Sequence, residues 1–319
     1  MTPETNSTQS SHVIEGVTVP VTTPMTLERQ PDAALLGAQF ERIAAAQVDT
    51  IMLLGTNGEG ATVRTEVAGS FCVDAAALWR ETRGPSARVL VAVFGSGTDQ
   101  TLDAAHAILP ARPDAVVVAP PHYFIHTEQE LAAHFSAMRV LNAPIVAYNI
   151  PRYSNNPISL SLFEQLFAMP HIVGMKDSGG SKELIERAAQ LSDTRHDFAV
   201  SQGNEKMLDW GLANGARGVT PGVANLAPAA CRELVEAVAG KDMARAAAIQ
   251  ARLTALTGIH AIRPGVAAMK AAMSLLGLCP PTPGAPFAPY DEEELARLRL
   301  LLGDFTDILS APLLSGERA

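Results

Sequence analysis

Lys176 ends an otherwise apolar run, IVGMK at 172–176, and the chain then turns through DSGG at 177–180. A run suited to burial that finishes on a charge places its amine where water is scarce. Desolvation disfavours the ammonium form, so the free amine becomes a nucleophile toward a carbonyl and yields an imine that draws electrons from the neighbouring carbon. The plainer reading is a lysine whose stem packs while its head pairs with Asp177 or another carboxylate. Tyr148 closes a second apolar run, APIVAY at 143–148, and its phenol is suited to moving a proton beside such an amine; otherwise it is a core tyrosine with a satisfied hydroxyl. LLGTNGEG at 53–60 is a glycine-punctuated loop after a strand, able to aim backbone N–H groups at an anion such as a carboxylate. It has neither the G-x-x-x-x-G-K-[ST] nor the G-x-G-x-x-G pattern, so nucleotide binding is not indicated. His122 and His126 stand at i, i+4, but no acidic cluster nearby completes a metal site, and they read as surface or interface histidines.

The elements that must position these groups alternate regularly. Strand-like runs occur at 16–21, 50–54, 88–94, 114–119, 143–148, 172–176, 197–201 and 216–220, with stretches of helical period between them. Most runs are apolar throughout, as expected for parallel strands covered on both faces. Eight such units over about 240 residues predict an α/β fold, a (β/α)8 barrel of the TIM type, with a doubly wound sheet as the alternative. The expected division is a loose polar tail at 1–12, a barrel at 13–240 and a helical extension at 241–319, interrupted by the proline-rich CPPTPGAPFAP. In a barrel the strand C-termini and the loops after them carry the chemistry. That rule selects Thr22 and Thr23, Gly55 to Glu59, Gly95 to Gly97, Tyr123, Tyr148, Lys176, and Gly203 with Asn204. Glu59 is expected to orient its loop, Met269 and Met273 to pack, and DEEE at 291–294 to open a helix.

Bulk properties narrow the partners. The 319 residues carry 33 acidic against 24 basic side chains, a formal charge of −9 that disfavours nucleic acid. No apolar stretch is long enough for a membrane span and no export signal is recognised. Cys72, Cys231 and Cys279 are widely spaced and suggest neither a disulfide framework nor a thiolate metal site, which fits a cytoplasmic protein.

Three segments together, GTNGE at 55–59, YNIP at 148–151 and GMKDSGG at 174–180, resemble the dihydrodipicolinate synthase and N-acetylneuraminate lyase family of class I, Schiff-base enzymes. The likeness runs from about residue 14 into the C-terminal helices, with VTTP, FGSGTD, SQGNE and GVTPGVAN in register. It implies a barrel with C-terminal helices, assembled as a homodimer or homotetramer, that acts on pyruvate or another 2-oxo acid and needs no cofactor or metal. By the same resemblance Lys176 is the imine-forming lysine and Tyr148 the general acid/base. Gly55, Thr56 and Asn57 form the loop for the substrate carboxylate, with Asn57 where the family commonly has a second threonine. Tyr123 matches a tyrosine that crosses a dimer interface to complete a proton relay through Thr56, and Thr220 falls where a main-chain carbonyl faces the nucleophile.

One departure bears on the substrate. The synthases carry an arginine two residues beyond the proline of YN-x-P; here that position is Tyr153, and Arg152 precedes it. Tyrosine cannot supply a bidentate guanidinium fork. Asn155 follows where the family often has glycine and tolerates a left-handed backbone. The sequence therefore favours a lyase or aldolase that cleaves or dehydrates a hydroxylated 2-oxo acid, such as 4-hydroxy-2-oxoglutarate or a 2-keto-3-deoxy sugar acid, bound distally by Arg152 and Tyr153. The synthase that condenses pyruvate with aspartate semialdehyde is second, and a non-catalytic 2-oxo-acid-binding regulator third.

Overall fold

The computed structural model describes residues 12–314; apart from His12, the expected tail at 1–12 lies outside them. Eight parallel strands close into a barrel in chain order: β1 (Gly16–Val19), β2 (Thr50–Leu53), β3 (Arg88–Val93), β4 (Ala115–Val118), β5 (Ile145–Asn149), β6 (Ile172–Asp177), β7 (Ala199–Gln202) and β8 (Gly218–Val219). The eight expected runs are all present, so the (β/α)8 barrel replaces the doubly wound alternative. Their ends differ for local reasons. Pro20 has no N–H to continue β1. Leu54 takes φ 52°, which turns the chain out of β2.

Strand residues alternate between two buried environments. Val19, Ile51, Leu53, Val89, Val91, Val116 and Ala147 join the large core between barrel and helices. Met52, Leu90, Ala92, Ala115, Val117, Val146, Tyr148 and Ala199 form a smaller cluster inside the barrel, with Ile14 among them. Because both faces are covered, the strands read as continuous apolar runs, and each fully buried large side chain contributes about 1.5–3 kcal/mol. Gly174 is required by this packing: a Cβ there would lie 2.6 Å from the Ala199 carbonyl oxygen and 2.9 Å from Ile14 Cδ1.

The pairing of β5 with β6 carries a bulge. Ile145 pairs with Ile172 but Val146 pairs with Gly174, so Val173 is an extra residue on β6. Beyond it Tyr148 stands opposite Lys176 and Asn149 opposite Asp177. Without the extra residue Tyr148 would face Met175, and the lysine would fall on the wrong side of the sheet.

Beyond the barrel's last helix (Pro228–Ala239) the chain forms helices Met243–Leu256, Val266–Leu275 and Glu292–Gly303. The second is buried at almost every residue, Met269 and Met273 included. The third opens on a capping box of Asp291 and Glu294, as its acidic start suggested.

Candidate active site

At the strand C-termini lies a cavity of about 350 Å³, within the range of small-molecule sites. Lys176 enters it from β6 with only 5% of its surface exposed. Its Nζ sits over the Tyr148 ring, 4.2 Å from the centroid. The Tyr148 hydroxyl, in turn, shares a hydrogen bond of 3.1 Å with Thr56 Oγ1. Lysine, phenol and loop hydroxyl thus form a continuous chain from β6 through β5 to the loop after β2.

Asp177 is not the lysine's partner. Strand alternation turns the two side chains to opposite faces, and the Asp177 carboxylate accepts from Asn149 Nδ2 at 2.7 Å and from the N–H groups of Gly179, Gly180 and Ser181 at 2.9–3.0 Å. Burial pushes this carboxyl above its usual range, and those four donors oppose the rise. Its role is to fold the DSGG turn. No ion pair to Lys176 occurs among the described residues.

Room for the lysine is made by Gly203: a Cβ there would stand 2.4 Å from Ser178 Oγ and 3.2 Å from Lys176 Cε. On the barrel side Ser201 and Thr220 join hydroxyls at 2.7 Å, and Thr220 reaches the cavity wall. Asn57 lines the same wall as Thr56. Gly55 does not reach the cavity surface; it lies beneath the loop, where a Cβ would come 2.6 Å from Met52 Cε.

Arg152 and Tyr153 both line the cavity from the short helix Pro151–Ser154, the guanidinium carbon 5.6 Å from the tyrosine ring centroid. A guanidinium thus stands at the cavity wall although Tyr153 holds the position that carries the arginine in the synthases. Asn155 closes this helix at φ 57°, the left-handed conformation foreseen for it.

Tyr123, unlike Gly55 just beneath the loop, stands well apart from the cavity. It stands 77% exposed at φ 87°, its ring edge-on to Phe124, and does not line the cavity of its own chain. His122 bonds Ser96 Oγ at 3.2 Å and His126 lies 3.8 Å from Glu130; among the described residues no group of side chains has the makings of a metal site.

Two titratable cavity residues escaped the sequence reading. Glu205 follows the Gly203–Asn204 pair that had been selected and sits one residue further into the loop after β7. The residue keeps some exposed surface, yet its carboxyl is enclosed. Burial pushes it up, against the Val223 N–H at 2.8 Å, the nearby Lys176 charge and the Gly222 N–H. His260 comes from the C-terminal extension; burial holds its imidazole below the usual range, the Gly265 backbone opposes that, and the Arg152 charge adds to it. The motif SQGNE contains Glu205 and was a usable signal, whereas nothing around His260 marked it.

The chain's similarity to known proteins extends over all of these elements. Residues 13–304 match the model of the Dihydrodipicolinate synthetase family. A 4-hydroxy-tetrahydrodipicolinate synthase of Anaeromyxobacter sp. is 30% identical over 292 residues, covering 90% of this chain and 95% of its own. Another from Hyphomonas neptunium is 30% identical over 264 residues, covering 82% and 88%. Among solved structures, the dihydrodipicolinate synthase of Aquifex aeolicus superposes with a TM-score of 0.81 at 25% identity, over 92% of this chain and 99% of that one. Among the described residues no helix is long and apolar enough to cross a membrane. The match spans the barrel, its lysine-bearing strand and the three helices beyond it, and on that evidence the protein is an enzyme of the dihydrodipicolinate synthetase family.

Proposed function

We propose that the protein is a class I lyase whose Lys176 forms an imine with pyruvate or with the pyruvoyl part of a larger 2-oxo acid. The observation that carries this reading is the run from buried Lys176 and Tyr148 to half-buried Thr56, with contacts of 4.2 and 3.1 Å on the wall of one cavity. Nζ attacks the C2 carbonyl, the oxygen leaves as water after two proton transfers, and the C=N bond makes a C3 proton acidic. Tyr148 hands protons to the departing oxygen and takes them from the substrate, with Thr56 as the next hydroxyl in the line. Thr56 and Asn57 hold the C1 carboxylate. The site works in a homodimer or homotetramer, in which Tyr123 of one subunit serves the neighbouring one.

For the second reactant the order of the two readings is reversed from that suggested by the sequence. The relatives named 4-hydroxy-tetrahydrodipicolinate synthase support condensation with aspartate semialdehyde, and Arg152 at the cavity wall supplies the cation that its carboxylate needs. Cleavage of a hydroxylated 2-oxo acid is the second reading. It rests on Glu205, an enclosed carboxyl beside Lys176 that suits a substrate hydroxyl. The deciding experiment pairs pyruvate consumption with aspartate semialdehyde against pyruvate release from a panel of hydroxylated 2-oxo acids. A kcat/KM for the semialdehyde at least tenfold above every panel member upholds the synthase reading; the opposite order replaces it with the aldolase.

A further inference from the structure

Lys270 is the most deeply buried cation among the described residues, fully enclosed in the helix Val266–Leu275 of the C-terminal extension. Its Nζ stands 2.5 Å from Glu59 Oε1, both side chains at 0% exposure, in an ion pair whose approach is not that of a hydrogen bond. The same Nζ donates to the Thr23 carbonyl at 2.6 Å. Glu59 Oε2 accepts the Gly284 N–H at 2.6 Å, and Thr23 Oγ1 donates to the Gly58 carbonyl, also at 2.6 Å. These bonds join the loop after β1, the loop after β2 and the proline-rich segment beyond the helix to one ammonium group.

Such a pair is an odd choice for stability. Desolvating two ions costs several kcal/mol each, and apolar residues of similar volume commonly serve as well. What an apolar pair cannot do is fix one loop conformation by direction-dependent bonds. The loop it grips is the one that carries Thr56 and Asn57. Glu59 sits in the left-handed region at φ 57°, its N–H donating to the Thr56 carbonyl at 3.1 Å, and the Gly60 N–H donates to Gly55 at 3.2 Å. A Cβ on Gly60 would fall 1.9 Å from the Leu54 carbonyl oxygen, so the turn is closed tightly on itself. The left-handed conformation is one that a residue with a side chain adopts at a cost and keeps only when its surroundings impose it.

We propose that Lys270 and Glu59 are positioning residues: the C-terminal extension reaches under the barrel mouth and clamps the loop after β2, holding Thr56 against Tyr148 and Asn57 toward the substrate carboxylate. The clamp itself is a statement about the loop, while its effect on pyruvate rests on the imine reading above, and two separate readouts keep them apart.

The test uses the full chain and the variants Glu59→Gln, which keeps shape and removes the charge, and Glu59→Leu/Lys270→Met, which replaces the pair by apolar groups. Amide hydrogen exchange across 54–60 reads the clamp, and the pyruvate dependence of borohydride trapping at Lys176 reads its consequence. The double variant melts within about 5 °C of wild type, since lost hydrogen bonds and relieved desolvation offset each other. Exchange across 54–60 nonetheless rises at least tenfold, and half-maximal trapping needs at least tenfold more pyruvate. Glu59→Gln shifts both readouts in the same direction by less. Unchanged loop exchange in a folded double variant, or in Glu59→Gln should the double variant not fold, overturns the clamp. Wild-type protein that traps no pyruvate overturns the imine reading, and loop exchange then decides the clamp by itself.

Discussion

At the scale of the residue, chemistry is set by which groups share the cavity with Lys176. Among the described residues Tyr148 Oη has one partner at hydrogen-bond distance, Thr56 Oγ1, and the lysine lies over its ring. Tyr148→Phe keeps the ring and removes the proton carrier. It is expected to lower kcat by about 10²–10⁴-fold while leaving the melting temperature nearly unchanged, as steady-state rates beside thermal unfolding will show. Glu205 gives a prediction with a definite sign. Its folded-state pKa is raised, so folding takes up a proton; the associated stability is fully present below the unfolded value of about 4.5 and is lost as pH rises through the raised one. Glu205→Gln should therefore gain stability over wild type at pH 8 and little at pH 4, which denaturant unfolding at the two pH values measures. Lys176 was legible in the sequence because a charge ending an apolar run contradicts its context. Glu205 was nearly so, being the next residue after a selected pair. His260 was not, since its approach to the site depends on how the extension folds back, and no local pattern encodes that.

At the scale of the element, the site depends on spacing that composition does not reveal. All eight strands could be read from apolar runs, because burial on both faces leaves few polar interruptions. Their pairing could not. The extra residue Val173 puts Tyr148 opposite Lys176, and a bulge is a matter of register between strands far apart in sequence. The same holds for Gly203, whose missing side chain is needed only because Ser178 and the lysine stem press against it. Gly203→Val would place methyl groups in that gap. The expected outcome is a cost of about 1–3 kcal/mol in stability and a loss of imine formation greater than that cost explains, seen by comparing unfolding with borohydride trapping. The helix Thr65–Arg83 and its neighbours can be altered on their outer faces without touching this geometry, since their buried residues belong to the outer core.

At the scale of the whole molecule, an exposed apolar patch and a covalent chemistry remain to be joined. Tyr123, Phe124 and Ile125 stand 77, 62 and 83% exposed in one loop, which Asn156 holds through bonds to Pro121, Phe124 and His126. Three large exposed side chains on an anchored loop suit an interface better than water. On the proposed dimer or tetramer, Phe124→Asp should shift the wild-type assembly toward monomer in sedimentation velocity and reduce turnover, while the fold by circular dichroism persists; a monomeric wild type, or a variant that assembles unchanged, would contradict this interface. The most direct measurement of the central claim is also made on the entire chain. Incubation with pyruvate and borohydride, followed by intact mass and peptide mapping, should show one stable adduct per chain, on Lys176. An unmodified chain, or an adduct confined to Lys182 or Lys206, would contradict the imine at Lys176 and with it the proposed reaction.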